Sequence, residues 1–119
     1  NDAMLDAGLN YIVNNTTEMY LCTAQPADRA AAIASDVANV TGLTSGDFVA
    51  PANGDTSGRK IVVNAQNGLT AIADGTATHV ALCSGTVLLY VTDNTGQVVT
   101  TGNTVNIAAW DIELADVTP

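Results

Sequence analysis

The chain has 119 residues, in which 12 acidic side chains stand against three basic ones, Arg29, Arg59 and Lys60, for a formal net charge of −9. Without a basic stripe it cannot release counterions from nucleic-acid phosphates, and its field repels anionic membrane surfaces, so neither is expected as a partner; a positively charged protein surface is the natural complement. The length suits one domain spanning residues 1–119, and the sequence reads without a signal peptide and without an apolar run near the roughly 18 residues of a membrane-spanning helix.

Residues 2–15, DAMLDAGLNYIVNN, place Leu5, Leu9, Ile12 and Val13 on one stripe at helical spacing, with Asp2 as N-cap and Asn14-Asn15 as the stop. A helix this short depends on docking, against its own sheet or a neighbouring subunit. Thr16 to Ala24 alternates as a strand, and Pro26 opens a short Ala-rich helix over 26–34. The stretch from Asp36 to Asp55 reads as loop with β pieces DVANVT and DFVA, followed by a strand in GRKIVVNA and a turn at Asn67-Gly68.

Residues 70–92 form the predicted centre, an antiparallel meander with type I′ turns at Asp74-Gly75 and Ser84-Gly85. A turn at Ser84-Gly85 sets Cys83 opposite Thr86, Leu82 opposite Val87 and Val80 opposite Leu89. Val80, Leu82, Val87, Leu89 and Val91 then share the buried face, while His79 and Tyr90 meet on the mixed one. Beyond it, DNTG reads as a turn, QVVTT as a strand, and Gly102-Asn103 as a hairpin turn into TVNIAAWDIEL. The apolar phase of this last stretch changes, with Val105 and Ile107 at odd positions and Trp110, Ile112 and Leu114 at even ones. A bulge near Ala108-Ala109, or passage of the chain between two sheets, reconciles them. Many short strands joined by tight turns predict a mainly β fold, an antiparallel β-sandwich or small barrel with two short helices.

Candidate chemistry is sparse. The sole histidine, His79, lies inside the meander and no G-x-S-x-G elbow is present, so a hydrolase triad is not expected. His79, Cys22 and Cys83 supply three of the four ligands zinc wants, without paired spacing; no metal or cofactor is expected, nor is the chain expected to be an enzyme. Cys22 and Cys83 lie in apolar runs and read as buried thiols, with a disulfide left open. GDTSGRK, residues 54–60, lacks Walker spacing and leads into a strand, so it is no phosphate loop. Arg59 beside Lys60 reads either as a solvated strand end or as a polar intersubunit contact with carboxylates. Asp111 and Glu113 share one face of a strand as a solvated acidic surface, and the single Trp110 reads as core or subunit interface.

The opening NDAMLDAGLNYI, the loop NGDTSGRK, the strand pair GTATHVALCSGTVLLYVT and the ending TTGNTVNIAAWDIELADVTP together resemble a family of small virion-head proteins of tailed double-stranded DNA bacteriophages and prophages. The resemblance covers nearly the whole chain. It implies a capsid decoration or cement protein, made in the bacterial cytoplasm and carried on the outer surface of the virion. Its partners would be the major capsid protein and two further copies of itself in a homotrimer. Leu5, Leu9, Ile12, Arg59 and Lys60 are the expected interface residues. The alternatives are another virion part (tail, fibre or head-completion protein) and a carbohydrate-binding or adhesin β-sandwich, the latter disfavoured by 4% aromatic content.

Overall fold

The computed structural model describes residues 2–54 and 58–114 of the protein. It is mainly β, with the elements α1 (Asp2–Asn15), β1 (Glu18–Cys22), α2 (Arg29–Ala34), β2 (Asp36–Thr41), a 3₁₀ turn at Ser45–Asp47, β3 (Phe48–Asn53), β4 (Arg59–Val63), β5 (Gln66–Thr70), β6 (Gly75–Cys83), β7 (Leu88–Val99), β8 (Thr104–Ile107) and β9 (Trp110–Leu114). A four-stranded sheet runs β2-β1-β6-β7, a three-stranded one β3-β4-β9, and β5 pairs with β8. Every pairing is antiparallel.

The predicted meander is replaced by a single hairpin. β5 ends at Thr70 and pairs with β8, so β6 takes β1 as its second neighbour instead. Neither Asp74-Gly75 nor Ser84-Gly85 is a type I′ turn, because that turn needs positive φ at both central residues and, among the described residues, only Gly42, Gly58, Gly68, Gly96 and Gly102 have it. Asp74 spends its carboxylate elsewhere, accepting from the N–H and the hydroxyl of Thr101 at 2.7 and 2.9 Å. A Cβ at Gly75 would stand 2.7 Å from Thr23 Cγ2, so that methyl would have to shift to admit one. The loop between β6 and β7 is instead closed by Ser84, whose N–H donates to the Val87 carbonyl and whose Oγ accepts from the N–H groups of Thr86 and Val87.

That loop, with a register shift beside it, places Cys83 opposite Leu88, Leu82 opposite Tyr90 and Val80 opposite Thr92. Relative to the predicted register β7 is displaced by two positions at Cys83 and, past the register shift, by three at Leu82 and Val80, and an odd displacement exchanges the faces of the side chains there. Tyr90 therefore joins Val80 and Leu82 toward the main core and Val91 turns to the opposite face, where Leu88 keeps its expected place beside Cys83, and Val87 is half exposed. The DNTG segment is no turn: β7 continues through it, with Gly96 at φ 54° beside a second register shift.

Three further sequence expectations change. Asn67-Gly68 forms an irregularity inside β5, where the Gly68 N–H donates to Asn106 Oδ1 at 2.9 Å. Pro26 lies ahead of the second helix, which is capped by Asp28, its side chain accepting from the Ala31 N–H. Gly102-Asn103 forms a turn, but it leads from β7 to a strand of a different sheet. The phase change near Ala108-Ala109 is the predicted passage between sheets, for β8 pairs with β5 and β9 with β4.

One apolar cluster gathers α1 and all three sheets, with Leu9, Met19, Leu21, Ile61, Leu82 and Ile112 fully buried. A second, smaller cluster lies on the other face of the four-stranded sheet, where Tyr20, Cys22, Ala81 and Cys83 are covered by Ala32 of α2. Burial on both faces explains why the runs MYLC and ALC are continuously apolar rather than alternating.

Candidate functional site

Each of the three cations is bonded to a carboxylate of its own chain. Arg29 meets Glu18 at 2.8 Å, Arg59 meets Asp6 at 2.7 Å, and Lys60 meets Asp111 at 3.3 Å. Arg59 holds Asp6 with two nitrogens and also donates to Asn53 Oδ1 at 2.9 Å, which fastens the middle of α1 to β4 and β3. Among the residues expected at an interface, Leu9 is fully buried and Leu5 and Ile12 are partly buried in this same helix docking. The outer surface of α1 carries a different pair, Met4 at 75% and Tyr11 at 59% exposure, seven residues apart and so on one stripe.

The strand registers also bring a chemically suggestive row into line. Asp36 of β2 lies opposite Cys22 of β1, Cys22 opposite His79 of β6, and His79 opposite Asp93 of β7. His79 Nε2 is 3.1 Å from Asp93 Oδ1, and its Nδ1 is 2.9 Å from Thr78 Oγ1, so the predicted partner Tyr90 is replaced by a carboxylate. A thiol, an imidazole and two carboxylates are the parts of a cysteine nucleophile site, but activation requires an accessible, stabilised thiolate. Cys22 has the opposite character: it is fully buried, its Sγ donates to the Ala32 carbonyl at 3.6 Å, and burial pushes its pKa up. Cys83 is likewise buried, its pKa pushed up to about 11 by desolvation. The two thiols are free. Cys83 lies opposite Glu18 and Cys22 opposite His79 on one ladder, four positions or roughly 13 Å apart along the strands, beyond the reach of a disulfide.

A concave feature lies where the chain passes from β8 to β9. A cleft of about 230 Å³ opens between Val80 and Thr92 of the four-stranded sheet and the segment Ile107, Ala108, Ala109 and Trp110, with Asp93 and Asp111 completing its wall. Trp110 stacks on Tyr90 with ring centroids 6.0 Å apart and an interplanar angle of 23°. The indole is thus packed against the core edge, and its Nε1 is buried without a hydrogen-bond partner among the described residues. Sequence reasoning placed Trp110 in the core or at an interface, but paired Tyr90 with His79. The missing signal is the displaced β7 register, which alone turns Tyr90 toward Trp110. Among the described residues no three His, Cys, Asp or Glu side chains form a metal-binding group. No protein-family model, curated protein or solved structure matches the chain.

Proposed function

We propose that the protein is a virion structural protein of a tailed bacteriophage, a capsid decoration protein that binds the outer face of the major capsid protein lattice as a homotrimer. The observation that carries this reading from the geometry is the two-sided α1 helix. Its inner stripe and the Arg59–Asp6 pair dock it on the body, while Met4 and Tyr11 stand exposed and could serve as apolar anchors. Aromatic and Met side chains are enriched where protein interfaces are buried, and a pre-docked helix presents them without further ordering cost. The resemblance of four segments to phage head proteins supplies the biological setting. The reading gives the chain no reaction of its own, in keeping with two thiols held protonated by burial.

The mechanism is mass action. A protein that binds only the mature lattice stabilises each site by RT ln(1 + [L]/Kd), and the effect multiplies over the sites of the shell. Counting copies in purified particles by quantitative mass spectrometry tests it. Decoration requires a number close to that of the major capsid protein; a dozen copies or fewer, or absence from the particle, would overturn the reading in favour of a tail, neck or non-virion role.

A further inference from the structure

We propose that the outer edge of β7 over residues 88–93 takes up an extended segment of the partner protein as an added antiparallel strand, with a basic residue of that segment opposite Asp93. This deepens the decoration reading and rests on it for the identity of the partner. The backbone carries the first part. β7 is an edge of the four-stranded sheet: among the described residues its one ladder is to β6, and the outer side of Leu88 to Asp93 has no backbone partner. In an antiparallel strand every second residue turns both its N–H and its C=O away from the neighbour, so this edge offers a row of donors and acceptors at the spacing of another extended backbone. Its side chains agree with that use, since Leu88, Leu89, Tyr90, Val91 and Thr92 are each half-buried, whichever face they occupy. The other edges are closed. Val37 of β2 accepts the Ile72 N–H at 2.8 Å, β3 carries Pro51 and β5 the irregularity at Gly68, while β8 has four residues and β9 five, with Asp111 and Glu113 as outward charges. β7 has 12 residues with no Pro, Lys or Arg, and its second register shift comes only after Asp93.

Charge decides between a foreign segment and a second copy. The Asp93 side chain is 95% exposed and lies 3.1 Å from His79 Nε2. Residues directly opposite each other on neighbouring strands share a face, where opposite charges are favourable and like charges are not. A strand added beside Asp93 is therefore favoured by Lys or Arg at that place. This chain has only three cations, Arg29 on α2 and Arg59 and Lys60 on β4, which lies between β3 and β9, so among the described residues no free strand edge of a second copy supplies one. Two copies, each of net charge −9, also repel.

The probe is a blocked Lys-Thr-Val-Val-Thr-Val peptide at low salt, whose first residue meets Asp93 in antiparallel register. It is compared with the same peptide carrying Glu in place of Lys, and with two forms N-methylated at odd or at even residues. Residue-resolved amide exchange by NMR is the readout. Alternate amides of residues 88–93 should exchange about tenfold more slowly at saturating Lys peptide, and one methylated form should lose this effect while the other keeps it, because only one frame removes the N–H groups that face β7. Asp93→Lys, a change at an exposed side chain, should reverse the preference between the Lys and Glu peptides, each Kd moving about threefold. Circular dichroism establishes that this variant is folded. The proposal is overturned by no saturable slowing in this stretch, by equal binding of both methylated forms, or by an unchanged preference in Asp93→Lys. Slowing that grows with protein concentration and needs no peptide would overturn it in favour of a second copy. None of these arms needs a phage particle. Peptide pairing together with a failed particle count would leave the edge assigned and reject the decoration reading; the reverse would reject the edge alone.

Discussion

Glu18 is bonded on both of its carboxylate oxygens. It accepts from Arg29 Nε at 2.8 Å and Nη2 at 3.0 Å and from the Tyr20 hydroxyl at 3.0 Å. The Arg29 hydrogen bonds, set against a smaller opposing effect of burial, hold its pKa below the ordinary glutamate range. A folded-state pKa below the unfolded one contributes stability that is complete above the unfolded value and is lost as pH falls through the folded value. Glu18→Gln keeps the shape and removes the charge. It should lower unfolding stability by about 1 kcal/mol at pH 7, and the deficit should vanish as the pH falls below the ordinary glutamate range. Urea unfolding of both proteins at neutral and acid pH measures the difference; a deficit of equal size at both would show that charge plays no part. Asp36 acts in the opposite sense, for burial raises its pKa and one of its oxygens is buried without a hydrogen-bond partner among the described residues.

Between the elements, the Arg59–Asp6 pair is a contact across 53 positions of sequence, tying α1 to the three-stranded sheet at partly buried side chains. Replacing Arg59 by Met keeps a long apolar stem but removes both bonds to Asp6 and the one to Asn53. Amide hydrogens of α1 should then exchange several-fold faster while those of β6 keep their protection, since a paired group of this kind is worth about 1 kcal/mol and the strand core does not depend on it. Uniform acceleration across the protein would show that the helix is part of the global folding unit. Most elements were legible because local rules act on them directly: the helical stripe of Leu9 and Val13, the β pieces DVANVT and DFVA, and the phase change at Ala108-Ala109. The pairing partners were not. Asp74-Gly75 and Ser84-Gly85 satisfy hairpin chemistry on paper, yet Asp74 is drawn to Thr101 and Ser84 caps its own wider loop, both through contacts that no local pattern encodes. The cleft inherits that difficulty, because its wall joins residues from Val80 to Asp111 only after β7 has shifted register. Arg59 and Lys60, read from the sequence as either a solvated strand end or an intersubunit contact, bond Asp6 and Asp111 of the same chain.

At the scale of the molecule, Arg29, Arg59 and Lys60 are each paired with a carboxylate of the same chain and both thiols are buried, while apolar side chains stand exposed, Met4 and Tyr11 on α1 and Val98 on β7 among them. On the proposed reading, threefold repetition on a shell would multiply contacts that are weak singly. The most direct measurement is a cryo-EM map of the intact particle. The account predicts threefold density of this chain on the outer face of the capsid lattice, with the Met4–Tyr11 stripe of α1 buried against the capsid protein or a neighbouring copy. Density confined to the tail or neck, or isolated copies whose α1 stripe faces solvent, would contradict it.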